Sequence, residues 1–339
     1  MIEPARAEAL IRAFPKQRIL VLGDLMLDRY IRGHAERLSP EAPVPVVRVA
    51  ETTRMPGGAA NVAVNIRALG GEAVVAGFVG IDSAGDELLD LLERQGLSTA
   101  GVVRLRDRCT TEKIRIIAER QQVVRVDHEM EGAVRTEDLD RLARRLPRVM
   151  RGCTGAIIED YGKGAIRQRV VESLLMTARR MGLPTGYDPK EDRDLRVRPV
   201  TLATPNCREA HVCAGLPPRT EVQDPLRDAR LARAIRILKA KWQTEALIVT
   251  LGPLGMVIAE KGRPLLHLPT RAREVFDVSG AGDTVIAACL LAKAAGATPV
   301  EAASLGNHAA GVVVGKLGTA SCSAEELIRS IQDDRAEGA

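Results

Sequence analysis

The sequence predicts an α/β protein with a mostly parallel sheet, helices on both of its faces, and a small lid of additional β-strands. Short apolar strands alternate with segments of helical period along most of the chain, the pattern that builds such a sheet. Glycines stand where several of those strands hand over to helices, leaving bare backbone at the helix starts. Two stretches of strand character interrupt the alternation, and these predict the lid. At 339 residues, 45% hydrophobic and 27% charged, the chain has ample material for a large core.

RILVLG (18–23) is a short buried strand ending in glycine, and GGAANVAVNIRALGG (57–71) is a helix with glycines at both ends. AVVAGFVG (73–80) is the next strand, followed by a helix near 84–95. GAIIED (155–160) is a strand, 165–181 a long helix, PTGYD (184–188) a strand, and a further strand precedes TPN (204–206). ALIVTLG (246–252) is the clearest late strand, and two or three helices close the chain. Residues 29–56 lack a helical period and carry three prolines before Val46, which suits an edge strand. TTEKIRIIAERQQVVRVDHE (110–129) reads as two strands joined by a polar turn. Together these pieces, about 29–56 and 107–130, form a lid over a ligand, with a plain surface decoration as the bland alternative.

Composition excludes several classes. Lys plus Arg is 49 against 44 for Asp plus Glu, and the +5 balance is spread along the chain, so nucleic acid is not called for. One Trp, three Tyr and three Phe leave little for base stacking. MIEPARAEALIRAF mixes acids and bases without an apolar signal core, and VIAACLLA stops at Lys293, far short of a membrane span. The six cysteines form no CxxC pair and read as reduced core thiols of a cytoplasmic protein.

The chemistry centres on DVSGAGD (277–283), which runs directly into the apolar helix TVIAACLLAKAA. Gly280, Ala281 and Gly282 sit where that helix begins, so an anion can approach unbonded N–H groups at the positive end of its dipole. An acid beside an anion cradle is awkward unless it has a proton to remove, which singles out Asp283. Alone the pattern is weak, because an acid in a first helical turn is often a simple dipole contact.

The standard nucleotide motifs are missing. AGVVVGKL (310–317) begins with Ala and ends with Leu where a P-loop needs Gly and Ser or Thr, and GAGDTV has Val285 where GxGxxG needs glycine. TPNCRE (204–209) sets Asn206 and Glu209 three apart, which by itself describes a capping box. TLGPLG (250–255) puts glycines in a loop after a strand, suited to covering phosphates. GDLMLD (23–28) sends Asp28 past the first strand, and GGAAN presents Gly57, Gly58 and Asn61 at a helix start. Carboxylate, amide and bare backbone are groups that bind sugar hydroxyls.

In this order GGAANVAVNIRALGG, TPNCRE, TLGPLG and DVSGAGDTVIAACL resemble the ribokinase-like (PfkB) carbohydrate kinases, over about residues 18–330. GDLMLDRYIRG, SPEAPVPV, IEDYGKG, YDPK and GVVVGKLGT further resemble the heptose-7-phosphate kinases of lipopolysaccharide core biosynthesis. The resemblance implies a three-layer α/β/α core and a single kinase domain over 1–339; with no HxGH motif, no fused adenylyltransferase is expected. It implies ATP-dependent phosphorylation of D-glycero-β-D-manno-heptose 7-phosphate at the anomeric oxygen, with Asp283 as base and the Gly280–Asp283 backbone holding the transferred group. It sets Thr250, Gly252 and Gly255 along the triphosphate, Asn307 at the adenine end, and Asn206 and Glu209 near Mg²⁺, mainly through water. A monovalent cation near Asp277 follows by analogy. Asp28, Gly57, Gly58, Asn61 and Asp160 are the expected sugar contacts. Lys113, Arg115, Arg120, Arg125 and Lys190 are candidates for the sugar's phosphate, although each alone is more often a solvated charge.

Three places depart from the pattern: Glu159 where serine is usual, Glu191 where glycine is usual, and Glu119–Arg120 in place of a smaller polar pair. The apolar edge around Val44–Val49 predicts a homodimer joined through the lids. Two other readings stand beside the heptose kinase. One keeps the kinase with another phosphosugar, such as fructose 6-phosphate; the other is a non-catalytic sugar or nucleotide sensor, which has no use for a base at Asp283.

Overall fold

The computed structural model describes residues 2–119, 121–190, 195–272, 274–316, 318 and 320–337. Its strands are β1 Arg18–Gly23, β2 Leu25–Leu38, β3 Pro45–Gly58, β4 Glu72–Gly80, β5 Ser98–Leu105, β6 Thr111–Ala118, β7 Gln121–His128, β8 Gly155–Glu159, β9 Thr185–Asp188, β10 Leu202–Ala203, β11 Ala246–Thr250, β12 Met256–Glu260 and β13 Leu266–Leu268. Its helices are α1 Pro4–Arg12, α2 Ala59–Ala68, α3 Ser83–Arg94, α4 Thr136–Val149, α5 Gln168–Met181, α6 Cys207–Cys213, α7 Ala229–Trp242, α8 Ala281–Ala294, α9 Pro299–Val314 and α10 Ala324–Glu337.

Nine strands form one sheet in the order β13-β12-β11-β10-β9-β8-β1-β4-β5. The pairs from β11 across to β5 are parallel, while β12 and β13 add an antiparallel edge that the sequence left unread. Beyond Arg18, β1 is apolar or glycine throughout because helices cover both faces. Ile19 and Val21 enter the core under α2 and α8, and Leu20 and Leu22 the core under α4 and α5. The strand order reverses beside β1: β4 and β5 follow on one side, β8 to β11 on the other. Ligands of open α/β sheets bind at the carboxyl ends of strands at such a reversal.

The lid is a second sheet of order β3-β2-β6-β7, with β2 antiparallel to β3 and parallel to β6. It is tied to the core by Glu87 of α3, which accepts from Arg29 at 3.2 Å and pairs with Arg54 at 2.8 Å. Alternation divides its faces. Asp28, Tyr30, Lys113, Arg115, Arg125 and Asp127 share one face, and half-buried Ile31, Ile114 and Ile116 share the other with exposed Val124 and Val126.

Two boundaries moved from the sequence reading. The helix expected from 57 starts at Ala59, because Gly57 and Gly58 complete β3. The helix expected from 165 starts at Gln168, because the amides of Tyr161, Lys163 and Ala165 are taken by the Asp24 carboxylate. Among the described residues no helix is long and apolar enough to cross a membrane. All six cysteines are free, and five are buried.

Candidate active site

Gly280 takes a left-handed φ of 78° and lets the chain turn into α8, whose first turn carries Asp283 to the carboxyl ends of β8 and β9. α8 is apolar all round and buried, which fixes it in place. Asp283 in its first turn is 5% exposed. Its Oδ2 accepts from Asn61 Nδ2 at 2.6 Å, and its Oδ1 from the Tyr161 hydroxyl at 2.6 Å. Burial pushes its pKa up to about 6; the two hydrogen bonds pull against that rise, and the charge of Asp28 adds to it. A carboxylate of this kind is ionised at neutral pH and basic enough to take a proton.

Glu159 and Asp188, at the ends of β8 and β9, complete an acidic group whose oxygens lie within 4.8 Å of one another and of Asp283. Burial first, and then neighbouring negative charge, raises both of their pKa values well above normal. Their carboxyls touch, an arrangement that requires a shared proton or a cation, and Glu159 Oε2 has no hydrogen-bond partner. Hard oxygen donors with an unsatisfied carboxylate fit a divalent cation held partly through water. Asn206 and Glu209 lie at the start of α6, where they form the capping box: Asn206 Oδ1 accepts Glu209 N, and Glu209 Oε2 accepts Asn206 N, both at 2.9 Å. The local cap is thus realised, and the charge of Glu209 still reaches Asp188. Among the described residues the acidic oxygens that gather are those of Glu159, Asp188 and Asp283, with the Asn206–Glu209 pair near Asp188.

Beside α8 lies a mostly apolar cavity of about 180 Å³ lined by Thr250, Gly252, Gly255, Ala281, Gly282 and Asn307. The structure brings together Thr250, Gly252, Gly255 and Asn307 of the residues expected around the nucleotide, while Asn206 and Glu209 do not line this cavity. Gly255, at φ 85°, is packed so closely that a Cβ would lie 2.1 Å from the Leu268 carbonyl oxygen. The Asn307 amide donates to the Pro269 carbonyl at 2.7 Å, so it also anchors the cavity wall. Asp277 Oδ1 accepts from Ser279 N at 2.9 Å and shapes the approach to Gly280.

On the acceptor side Asp28 is buried, and a Cβ on Gly57 would strike its Oδ2 at 2.5 Å. Gly58, at φ 57°, passes equally close to the Asp24 carbonyl. Asn61, grouped with the sugar contacts in the sequence, donates to Asp283. Asp160 is buried, and its Oδ1 accepts from Gly162 N at 2.8 Å. Among the described residues the lid cations do not form an unmatched cluster. Arg115 pairs with Asp28 at 2.6 Å over the Tyr30 ring, Arg125 clasps Asp127 at 2.8 and 3.0 Å, and Lys113 reaches Asp127 at 3.5 Å. The physical reason is register: Lys113 stands opposite both Asp28 and Asp127, so carboxylates and cations become cross-strand neighbours. Lys190 is exposed. Arg120 and Glu191 lie outside the described residues.

Sequence reasoning passed over Tyr161 and Asp188 as site residues and treated Glu159 only as a departure. Their signal was positional, since each stands at or just past the carboxyl end of a core strand.

A buried carboxylate in the first turn of a helix, next to an apolar cavity, is an arrangement that can hold a phosphate group and take a proton from a hydroxyl. The chain belongs to the pfkB family of carbohydrate kinases, whose model matches residues 16–326. It is 45% identical to the bifunctional protein HldE of Halorhodospira halophila over 93% of this chain and 63% of that one, and 41% identical to HldE of Gluconacetobacter diazotrophicus over 96% and 66%. The chain thus spans slightly less than two thirds of the length of these relatives. In fold it is similar to phosphofructokinase-2 from Escherichia coli in complex with potassium, with a TM-score of 0.74 at 20% identity over 94% of this chain and 98% of that one. It is also similar to ribokinase of Arabidopsis thaliana complexed with ribose and ATP, with a TM-score of 0.68 at 16% identity over 93% and 98%.

Proposed function

We propose that this kinase transfers the γ-phosphoryl group of ATP to the anomeric hydroxyl of D-glycero-β-D-manno-heptose 7-phosphate, giving the 1,7-bisphosphate for ADP-heptose and lipopolysaccharide core synthesis. One observation carries the reading: the segments that resemble heptose-7-phosphate kinases converge on Asp283, with GDLMLD bringing Asp28, IEDYGKG bringing Glu159 and Tyr161, and YDPK bringing Asp188. Residues 1–339 act as one kinase unit with a lid at about 29–56 and 107–130. The need for ATP and the free cysteines support a cytoplasmic location.

In this mechanism the acceptor hydroxyl gives its proton to Asp283 as its oxygen bonds to the γ-phosphorus and the bond to the ADP oxygen breaks. The amides from Gly280 to Asp283 meet the negative charge of the group in transit, so catalysis is positioning plus electrostatics. Mg²⁺, when bound, neutralises phosphate charge; Glu159 and Asp188 would hold it, with Asn206 and Glu209 acting through water. A monovalent cation near Asp277 belongs to the same reading. An ADP-release assay across a panel of phosphosugars tests the assignment, and faster turnover of fructose 6-phosphate than of heptose 7-phosphate would replace the sugar.

The lid also supports a homodimer. Its edge strand β3 leaves Val49 56% exposed, with Val44 just before it 51% exposed, and the outer face carries Val124 and Val126. Light scattering at micromolar concentration is expected to give twice the chain mass, and Val49→Lys with Val126→Lys is expected to shift it to the monomer. A wild-type monomer under those conditions removes the dimer.

A further inference from the structure

Asp283 is gripped from two sides by elements far apart in sequence, Asn61 from α2 and Tyr161 from the loop after β8. That loop has a seat of its own. Asp24, 2% exposed and next after β1, accepts Tyr161 N at 3.0 Å and Lys163 N at 2.9 Å on Oδ2, and Ala165 N at 2.8 Å on Oδ1. Gly162 and Gly164, at φ 80° and 111°, let the backbone curl around this carboxylate. Arg108 braces the loop from outside by donating to the Lys163 carbonyl at 3.3 Å. The side chain that this scaffold carries to Asp283 is the Tyr161 phenol.

We propose that Tyr161, seated by Asp24, is a positioning residue for Asp283, its hydroxyl fixing the plane of the carboxylate that receives the acceptor's proton. The proposal rests on the reading of Asp283 as the base. A carboxylate turns easily about its last bond, and one donor on each oxygen removes that freedom. Each oxygen keeps a further lone pair for the incoming hydroxyl. An O–H···O⁻ contact of 2.6 Å is in the range of strong charge-assisted bonds. Burial and the neighbouring negative charges keep the phenol protonated, so Tyr161 remains a donor and does not itself act as the base.

The test uses Tyr161→Phe, which removes the hydroxyl and keeps the ring, with Asp283→Asn beside it. Both are assayed for ADP release with the phosphosugar that the unmodified enzyme turns over fastest, and for nucleotide binding and thermal melting. For Tyr161→Phe, kcat is expected to fall about ten- to a hundredfold, as for loss of a hydrogen bond to a charged group. Both KM values are expected to stay within about twofold, with nucleotide binding and melting unchanged. Asp24→Asn is expected to lower kcat in the same direction and to add little in the double variant, because both changes act through one contact. A Tyr161→Phe kcat within twofold of the unmodified enzyme, with Asp283→Asn inactive, overturns the positioning role and leaves the base standing. A loss matched by lower melting or raised KM makes Tyr161 merely structural and also overturns it. Normal turnover in Asp283→Asn overturns both.

Discussion

Asp283→Asn is expected to lower kcat by about 10²–10⁴ while ATP binding stays nearly intact, the usual consequence of losing a general base. This is roughly 3–5 kcal/mol of barrier. The substitution suits the site sterically. An amide oxygen can accept from Asn61, and its NH₂ can donate to the Tyr161 oxygen, so the two neighbours keep partners. What is lost is the capacity to take a proton. Single-turnover kinetics with a fluorescent nucleotide separates the two effects, and near-normal turnover would remove Asp283 from the base role. A pH profile follows with a definite sign. The base works ionised and its pKa is raised by burial to about 6, so kcat/KM is expected to hold above that pH and to fall as pH drops through it. A rate that stays flat down to pH 5 would contradict this.

Unphosphorylated heptose is expected to be a poor acceptor, with kcat/KM lower by orders of magnitude than for heptose 7-phosphate. A charge-assisted hydrogen bond is worth about 1.5–3 kcal/mol, and a phosphate takes several. The structure refines which groups can supply them. Lys113, Arg115 and Arg125 face two carboxylates, Asp28 and Asp127, so the array keeps one net positive charge even with every cation paired. Arg125 is the most open of the three, with 49% of its side chain exposed. Arg125→Gln is therefore expected to cut kcat/KM for the phosphorylated sugar by about ten- to a hundredfold and to leave the plain sugar nearly unchanged. Product analysis is expected to find the second phosphate at the anomeric carbon. Equal use of heptose and heptose 7-phosphate by the unmodified enzyme would sink the assignment and leave the broader sugar kinase.

Much of the fold was legible because its signals are local. RILVLG reads as a doubly covered strand from its apolar run alone, and GAGD marks a helix start because only glycine turns there without strain. The Asn206–Glu209 capping box lies within four residues and was readable from that spacing. The β12–β13 hairpin was not, since two short apolar runs at a sheet edge do not announce their direction.

Read alone, the sequence determined the strand and helix alternation, the glycine helix start with Asp283 in its first turn, and the presence of a lid. Tertiary structure decided what surrounds Asp283. Asn61 lies 222 residues away in the chain and Tyr161 lies 122 away, and both meet it only once α2 and β8 are packed beside α8. It also decided that Arg115 and Asp28, 87 residues apart, share one ion pair, because parallel pairing of β2 with β6 sets their register. Periodicity and capping act within a turn or a strand, whereas these contacts depend on strand order and register, which no local stretch encodes.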